Sequence, residues 1–199
     1  IEVVGEDTTE IRISGVIKSR VKNEKKVLDI YEKERKVIEG KNSFKYSVKP
    51  SPTFFSKDKH FIVDLKIVIP SNVKLELTNT NGTLIGTNID GDVTLKTTNG
   101  TINGKLIDGN VEAESTNGTI KLKDVTGEAS ARTTNGNVKV ENVANHLIIK
   151  TTNGSITASS YVVGGDWEMT TTNGKVKMTI PSSASVEIEG ETTNGSVKG

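Results

Sequence analysis

The chain has 199 residues, with 26 Lys/Arg against 25 Asp/Glu and a net charge of +1, which excludes a general nucleic-acid or polyanion role carried by bulk electrostatics. It has no cysteine, so disulfides and thiolate metal sites are excluded, and no apolar run approaches the roughly 18 residues that a spanning helix needs. Only 4% of residues are aromatic and 19 are Gly, so a core built from Val, Ile, Leu and Ala in thin layers suits stacked rungs better than one round core.

Residues 1–20 alternate in strand fashion around Ile11, Ile13, Val16 and Ile17, and the same period-two pattern returns over 40–49 (Phe44, Tyr46, Val48) and 60–69 (Phe61, Val63, Leu65, Ile67, Ile69). Between them, Val27, Leu28, Tyr31 and Ile38 stand at roughly helical spacing in a Glu- and Lys-rich stretch, which predicts one short amphipathic helix near 23–35. Residues 1–70 are therefore read as an α+β cap continuous with residues 71–199. The chain starts at Ile1, as it would after removal of a signal peptide or anchor, although an arbitrary boundary would look the same.

From residue 71 onward the chain repeats. Asn-Gly recurs at Asn81, Asn99, Asn117, Asn135, Asn153, Asn173 and Asn194, at spacings of 18, 18, 18, 18, 20 and 21, each preceded by Thr80, Thr98, Thr116, Thr134, Thr152, Thr172 and Thr193. Apolar residues recur six before each Asn (Leu75, Val93, Val111, Ala129, Leu147, Trp167, Ile188) and four before it in every copy but that of Gly190. They return three after it (Leu84, Ile102, Ile120, Val138, Ile156, Val176, Val197) and eight after it (Ile89, Ile107, Val125, Val143, Tyr161). The period within each run is two, so each repeat holds two short strands and two turns. The added residues of the last two repeats, around Ser159–Gly165 and Pro181–Ser185, are expected to be bulged turns.

Asn-Gly also signals a two-residue hairpin, so an up-and-down meander or barrel competes with a solenoid. Recurrence of one side chain at one offset favours parallel stacking, which places identical groups about 4.8 Å apart. The expected fold is an all-β, single-stranded parallel β-helix of about 18 residues per rung, in which the Asn side chains form an internal amide ladder and each Gly permits a left-handed turn.

A strand pair, a short charged helix, further strands, the entry Ile69-Pro70-Ser71 and then repeats of Thr-Thr-Asn-Gly together resemble a prokaryotic adhesin domain family of unknown function, over nearly the whole chain. The resemblance implies a secreted or cell-surface β-solenoid with an adhesive, structural or envelope-stress role, and it carries no catalytic residues.

The Thr before each Asn is expected to point outward, giving a surface ladder able to contact sugars, ice or a partner, although β-branched Thr also simply favours strands. Lys105, Lys121, Lys123, Lys139, Lys177 and Lys198 fall at outward offsets of one strand against the single acid Glu141. The other strand carries Glu76, Glu112, Glu114, Glu168, Glu189 and Glu191 among Lys96, Arg132 and Lys150. One basic face, a candidate for an envelope polysaccharide, and one acidic face are expected, with solvated charge as the plainer reading.

The Asn-Gly-Thr/Ser sequons are explained by the repeat, Asn88-Ile-Asp90-Gly-Asp92 by an Asp-Gly turn better than by calcium, and His60 and His146 by structure. Trp167 and Tyr161 fall at inward offsets and are expected to fill the core. No enzyme activity, cofactor, metal or nucleic-acid partner is expected; self-association through solenoid ends or faces is, the final rung being incomplete at Gly199.

Overall fold

The computed structural model describes residues 1–19, 25, 28–29, 31–32, 35–48, 61–184 and 192–198. Their strands are β1 (Glu2–Glu6), β2 (Arg12–Ser19), β3 (Arg35–Gly40), β4 (Ser43–Val48), β5 (Phe61–Pro70), β6 (Lys74–Asn81), β7 (Leu84–Ile89), β8 (Val93–Asn99) and β9 (Ile102–Ile107). They continue as β10 (Val111–Asn117), β11 (Ile120–Val125), β12 (Ala129–Asn135), β13 (Val138–Val143), β14 (Leu147–Asn153), β15 (Ile156–Ser159), β16 (Trp167–Thr179) and β17 (Thr192–Lys198).

The fold is the expected parallel β-solenoid, of about six turns with roughly 18 residues per turn. Strands before each Asn-Gly corner stack in parallel as sheet I, in the order β4, β6, β8, β10, β12, β14, β16 and β17. Strands after it stack as sheet II, in the order β5, β1, β7, β9, β11, β13, β15 and the second half of β16. The register is residue for residue, Asn on Asn and apolar on apolar. That is why identical offsets recur in the sequence.

The described apolar residues at the four repeating offsets are buried from Leu75 through Ile156. Their sizes compensate within each rung. Leu77 and Leu95 share their rungs with Gly86 and Gly104, Ala113 and Ala131 with Leu122 and Val140, and Ile149 with Ala158, so a large side chain in one column faces a small one in the other. A Cβ on Gly86 would stand 3.7 Å from a Leu95 methyl, and one on Gly104 would stand 3.9 Å from the other.

Strands β7, β9, β11 and β13 of sheet II each contain a kink that the sequence reading lacks. Asn88, Leu106, Asp124 and Asn142 have φ of 60°, 54°, 56° and 55°, in the left-handed region, one residue before the last buried side chain of the strand. Asn and Asp tolerate this conformation and Leu does not. Asn142 also donates to Asp124 Oδ1 at 2.8 Å, a ladder that Leu106 interrupts. Replacing Leu106, 46% exposed, with Asn is therefore expected to stabilise the fold by about 1 kcal/mol, read as a rise of about 2–4 °C in Tm.

At the N-terminal end both sheets finish with an antiparallel strand, β2 on β5 and β3 on β4. The described residues Lys25, Leu28, Asp29, Tyr31 and Glu32 are helical. Ile38, counted in the spacing that predicted a helix near 23–35, lies beyond the helical residues in β3, where it pairs with Lys45 of β4. Tyr31 is buried and its hydroxyl lies 2.7 Å from that of Tyr46, whose ionisation is pushed up by burial and by that bond. Arg35 holds Tyr31 from outside, its guanidinium 5.7 Å from the ring and bonded to Glu32 at 2.6 Å.

The 20-residue repeat loops out after Ser159, as expected, but Tyr161 does not enter the core and is 84% exposed. Ser160 takes the buried place instead, its hydroxyl donating to Val143 O at 3.2 Å, and the two extra residues extend the turn beyond it. Trp167 is partly buried against the core, with its indole N–H on Asn145 O at 3.2 Å. Val27, His60, Ser185, Ile188, Glu189, Gly190 and Glu191 lie outside the described residues, as do the side chains of Thr193, Ser196, Val197 and Lys198.

Candidate functional site: two sheet faces and a shared corner

The Thr-Thr-Asn-Gly corner resolves into three columns. From Thr97 to Thr171 the residue two before each Asn is buried, and from Ser115 onward its hydroxyl donates to a glycine carbonyl of the preceding rung. Ser115 reaches Gly100 at 3.3 Å, Thr133 reaches Gly118 at 3.1 Å, Thr151 reaches Gly136 at 3.1 Å and Thr171 reaches Gly154 at 2.9 Å. Thr97 has no such bond; its counterpart acceptor belongs to Gly82, the one described glycine with a left-handed φ, 110°.

The Asn side chains form a continuous ladder. Each Nδ2 donates to the preceding Oδ1, Asn99 to Asn81 at 3.0 Å, then 2.8 Å for Asn117, Asn135, Asn153 and Asn173, and 3.0 Å for Asn194 on Asn173. Expected to be internal, the ladder is external: these side chains are exposed at the rim. They are satisfied by each other rather than by burial. The glycines serve close approach rather than a left-handed turn, since backbone carbonyls of the neighbouring rung occupy the space of a Cβ at Gly100, Gly118, Gly136, Gly154 and Gly174.

The third column is the Thr before each Asn. Thr98, Thr116, Thr134, Thr152 and Thr172 are exposed and Thr80 half-buried, while Thr193 contributes its backbone to β17.

On sheet II, five of the six lysines expected there are described, and they come together on the outer surface. Lys121 lies beside Lys139 and Lys105 beside Lys123 in adjacent strands, and Lys177 follows Lys139 in the same column with Thr157 between. Glu141 is the only carboxylate in these columns from β9 to β15; it takes Lys139 at 2.6 Å and Lys123 at 3.7 Å. The hydrogen bond from Lys139 holds the Glu141 carboxyl below its ordinary range.

Sheet I is not the acidic face that the sequence suggested. Lys96 bonds both Glu112 and Glu114 at 3.0 Å, Lys150 bonds Glu168 at 2.6 Å, and Lys45 bonds Glu76. These hydrogen bonds raise the Lys96 ammonium above its ordinary value and, through Lys45, lower the Glu76 carboxyl. Parallel stacking sets opposite charges one rung apart, so the face is internally neutralised.

An open groove of about 550 Å³ runs along this face, between the Thr column and the column holding Lys96, Glu114, Arg132 and Lys150. Arg132 stands in register between Glu114 and Lys150 and forms no ion pair among the described residues. Sequence reasoning counted it only as dilution of an acidic face. The signal that would have found it is the column itself, with three cations against one carboxylate.

At the other turn, each carboxylate is engaged locally. Asp90 accepts from Ser71 at 2.7 Å, Asp92 from the Asn110 amide at 3.1 Å, and Asp108 from Thr126 at 2.6 Å. Asn88 donates to Gly5 O at 2.7 Å, so Asn88, Asp90 and Asp92 serve the turn and the β1 contact. His146 stands 3.7 Å from both Glu128 and Asp166. Among the described residues no group of three or more His, Cys, Asp and Glu could hold a metal ion, and no helix is long and apolar enough to cross a membrane.

Neither a curated protein nor a solved structure matches the chain. The profile of the Toastrack DUF4097 family matches residues 1–199, the whole of the corner, both faces and the cap. The chain thus belongs to the Toastrack DUF4097 family, a family of unknown function.

Proposed function

We propose that this chain is a non-enzymatic, exported or cell-surface module, structural and adhesive, that lies against an anionic envelope polymer through the outer face of sheet II. The observation that carries this is the clustering of Lys105, Lys121, Lys123, Lys139 and Lys177, with Glu141 the one carboxylate that pairs with any of them among the described residues. Like charges side by side across strands are destabilising, whereas sheet I shows that this stack readily pairs opposite charges between rungs. An unbalanced array is therefore a surface for a polyanion rather than for the fold.

The carboxylates support a non-catalytic role. Glu112 and Glu114 share one lysine, and Glu76 and Glu141 are held below their ordinary range, the opposite of a general acid.

Elution from a dextran sulfate matrix with a salt gradient tests the reading. Lys121→Glu with Lys139→Glu is expected to weaken retention by about tenfold or more, equivalent to about 1.4 kcal/mol, and unchanged retention would refute it. The acidic turn column around Asp108 and Glu128 makes a second copy the other candidate occupant of this face. Light scattering of the protein alone at low salt separates the two, because only self-association gives dimers without polymer.

A further inference from the structure

We propose that the groove on sheet I, on the side opposite the lysine array, binds a linear polysaccharide that carries carboxylates, with Arg132 as the carboxylate anchor and the outward Thr column as the hydroxyl partner. The site does not rest on the basic face. It rests on four observations of its own.

The groove runs along the stack over six rungs, from Thr78 to Thr170, which at one strand spacing per rung is about 24 Å, long enough for an extended chain. Its walls are polar throughout. One wall is the exposed hydroxyl column Thr98, Thr116, Thr134 and Thr152, repeated at constant pitch, and a chain of repeating hydroxyls can meet each rung in the same way.

Lys96 and Lys150 of the lining are held by Glu112, Glu114 and Glu168, so the charge that the groove offers an anion is that of Arg132. Of the cations in these sheet I columns, Lys45, Lys96 and Lys150 are already spent in ion pairs. Arg132 is not. It is exposed at mid-groove with Thr116 and Thr134 on the facing wall, and its planar fork suits a carboxylate in two parallel hydrogen bonds.

The corner beneath is rigid, because Ser115, Thr133 and Thr151 anchor one rung to the next and the Asn ladder ties the rim. Little side-chain or backbone freedom is then lost when a chain lies across it. No aromatic side chain lines the groove, so neutral sugars have no stacking platform, and recognition falls to hydroxyls and charge.

Calorimetric titration of the whole chain with hexagalacturonate tests this, with cellohexaose and poly-L-glutamate as comparison ligands. Hexagalacturonate is expected to bind, Arg132→Ala to weaken it about tenfold or more, and Arg132→Lys to recover only part, since a point charge lacks the fork. Lys121→Glu with Lys139→Glu should leave it unchanged, so failure of this site and failure of the basic-face reading are distinguishable.

Arg132 is exposed and outside any ion pair among the described residues, so its variants should unfold at the wild-type temperature. Thr116→Val with Thr134→Val should independently weaken binding while leaving Arg132 intact. Absence of hexagalacturonate binding, an Arg132→Ala variant that binds as wild type, or equal binding of cellohexaose would overturn the proposal. So would tighter binding of poly-L-glutamate, which would assign the groove to an extended acidic peptide instead.

Discussion

Gly118→Ala is expected to destabilise the protein by at least about 3 kcal/mol, measured by urea unfolding, even though Ala is the smallest possible change. A Cβ at Gly118 would stand 1.7 Å from Gly100 O and 2.6 Å from its carbonyl carbon. Both are backbone atoms of the neighbouring rung and cannot rotate away. Relief requires the two rungs to separate, which strains the adjoining bond of Asn117 on Asn99 at 2.8 Å and that of Ser115 on Gly100 at 3.3 Å.

Gly86→Ala is the control. The nearest atoms to its Cβ are side-chain methyls at 3.4 and 3.7 Å, ordinary contact, so this change should be neutral or stabilising by up to about 1 kcal/mol. If the two glycines cost the same, close backbone stacking at the corner is not what selects Gly there.

Leu95→Ala should cost about 4 kcal/mol, near the upper end for such truncations. Leu95 is fully buried, and its methyls lie over the places where Gly86 and Gly104 have no side chain. Neighbours that are glycine cannot swing into a void, so the cavity persists. Adding Gly86→Ala to Leu95→Ala should recover about 1 kcal/mol beyond whatever Gly86→Ala gains alone, because its methyl enters space that Leu95 left. Strict additivity of the two changes in a double-mutant cycle would contradict the size compensation between columns.

How much of this was legible in the sequence depends on range. Columns such as Leu84–Ile102–Ile120–Val138 are visible because stacking in register repeats each environment every rung, so one inward offset predicts the rest. The same rule failed at Tyr161, where the count assumed a constant rung and the longer repeat places Ser160 in the slot. It also missed the left-handed kink, though Asn88, Asp124 and Asn142 are residues that favour it, because Leu106 hides the pattern.

Insertion of β1 between β5 and β7 has no local signal. Its partners lie far along the chain, and the contact depends on Gly5 meeting Asn88 O closely enough to exclude a side chain. The candidate sites divide in the same way. The lysine array comes from parity alone, whereas the neutral face and the unpaired Arg132 depend on which side chains meet across rungs, as Lys96 meets Glu112 and Glu114.

Both proposed surfaces exist only if repeats stack in parallel, one strand spacing apart, and a distance between outward threonines measures that directly. The chain has no cysteine, so Thr98→Cys with Thr172→Cys gives a uniquely spin-labelled pair separated by four rungs. Pulsed electron spin resonance should find the labels centred at about 19 Å, four strand spacings. A meander of hairpins would insert a second strand in every repeat, and a distance near about 38 Å, eight spacings, would contradict the solenoid and both of its faces.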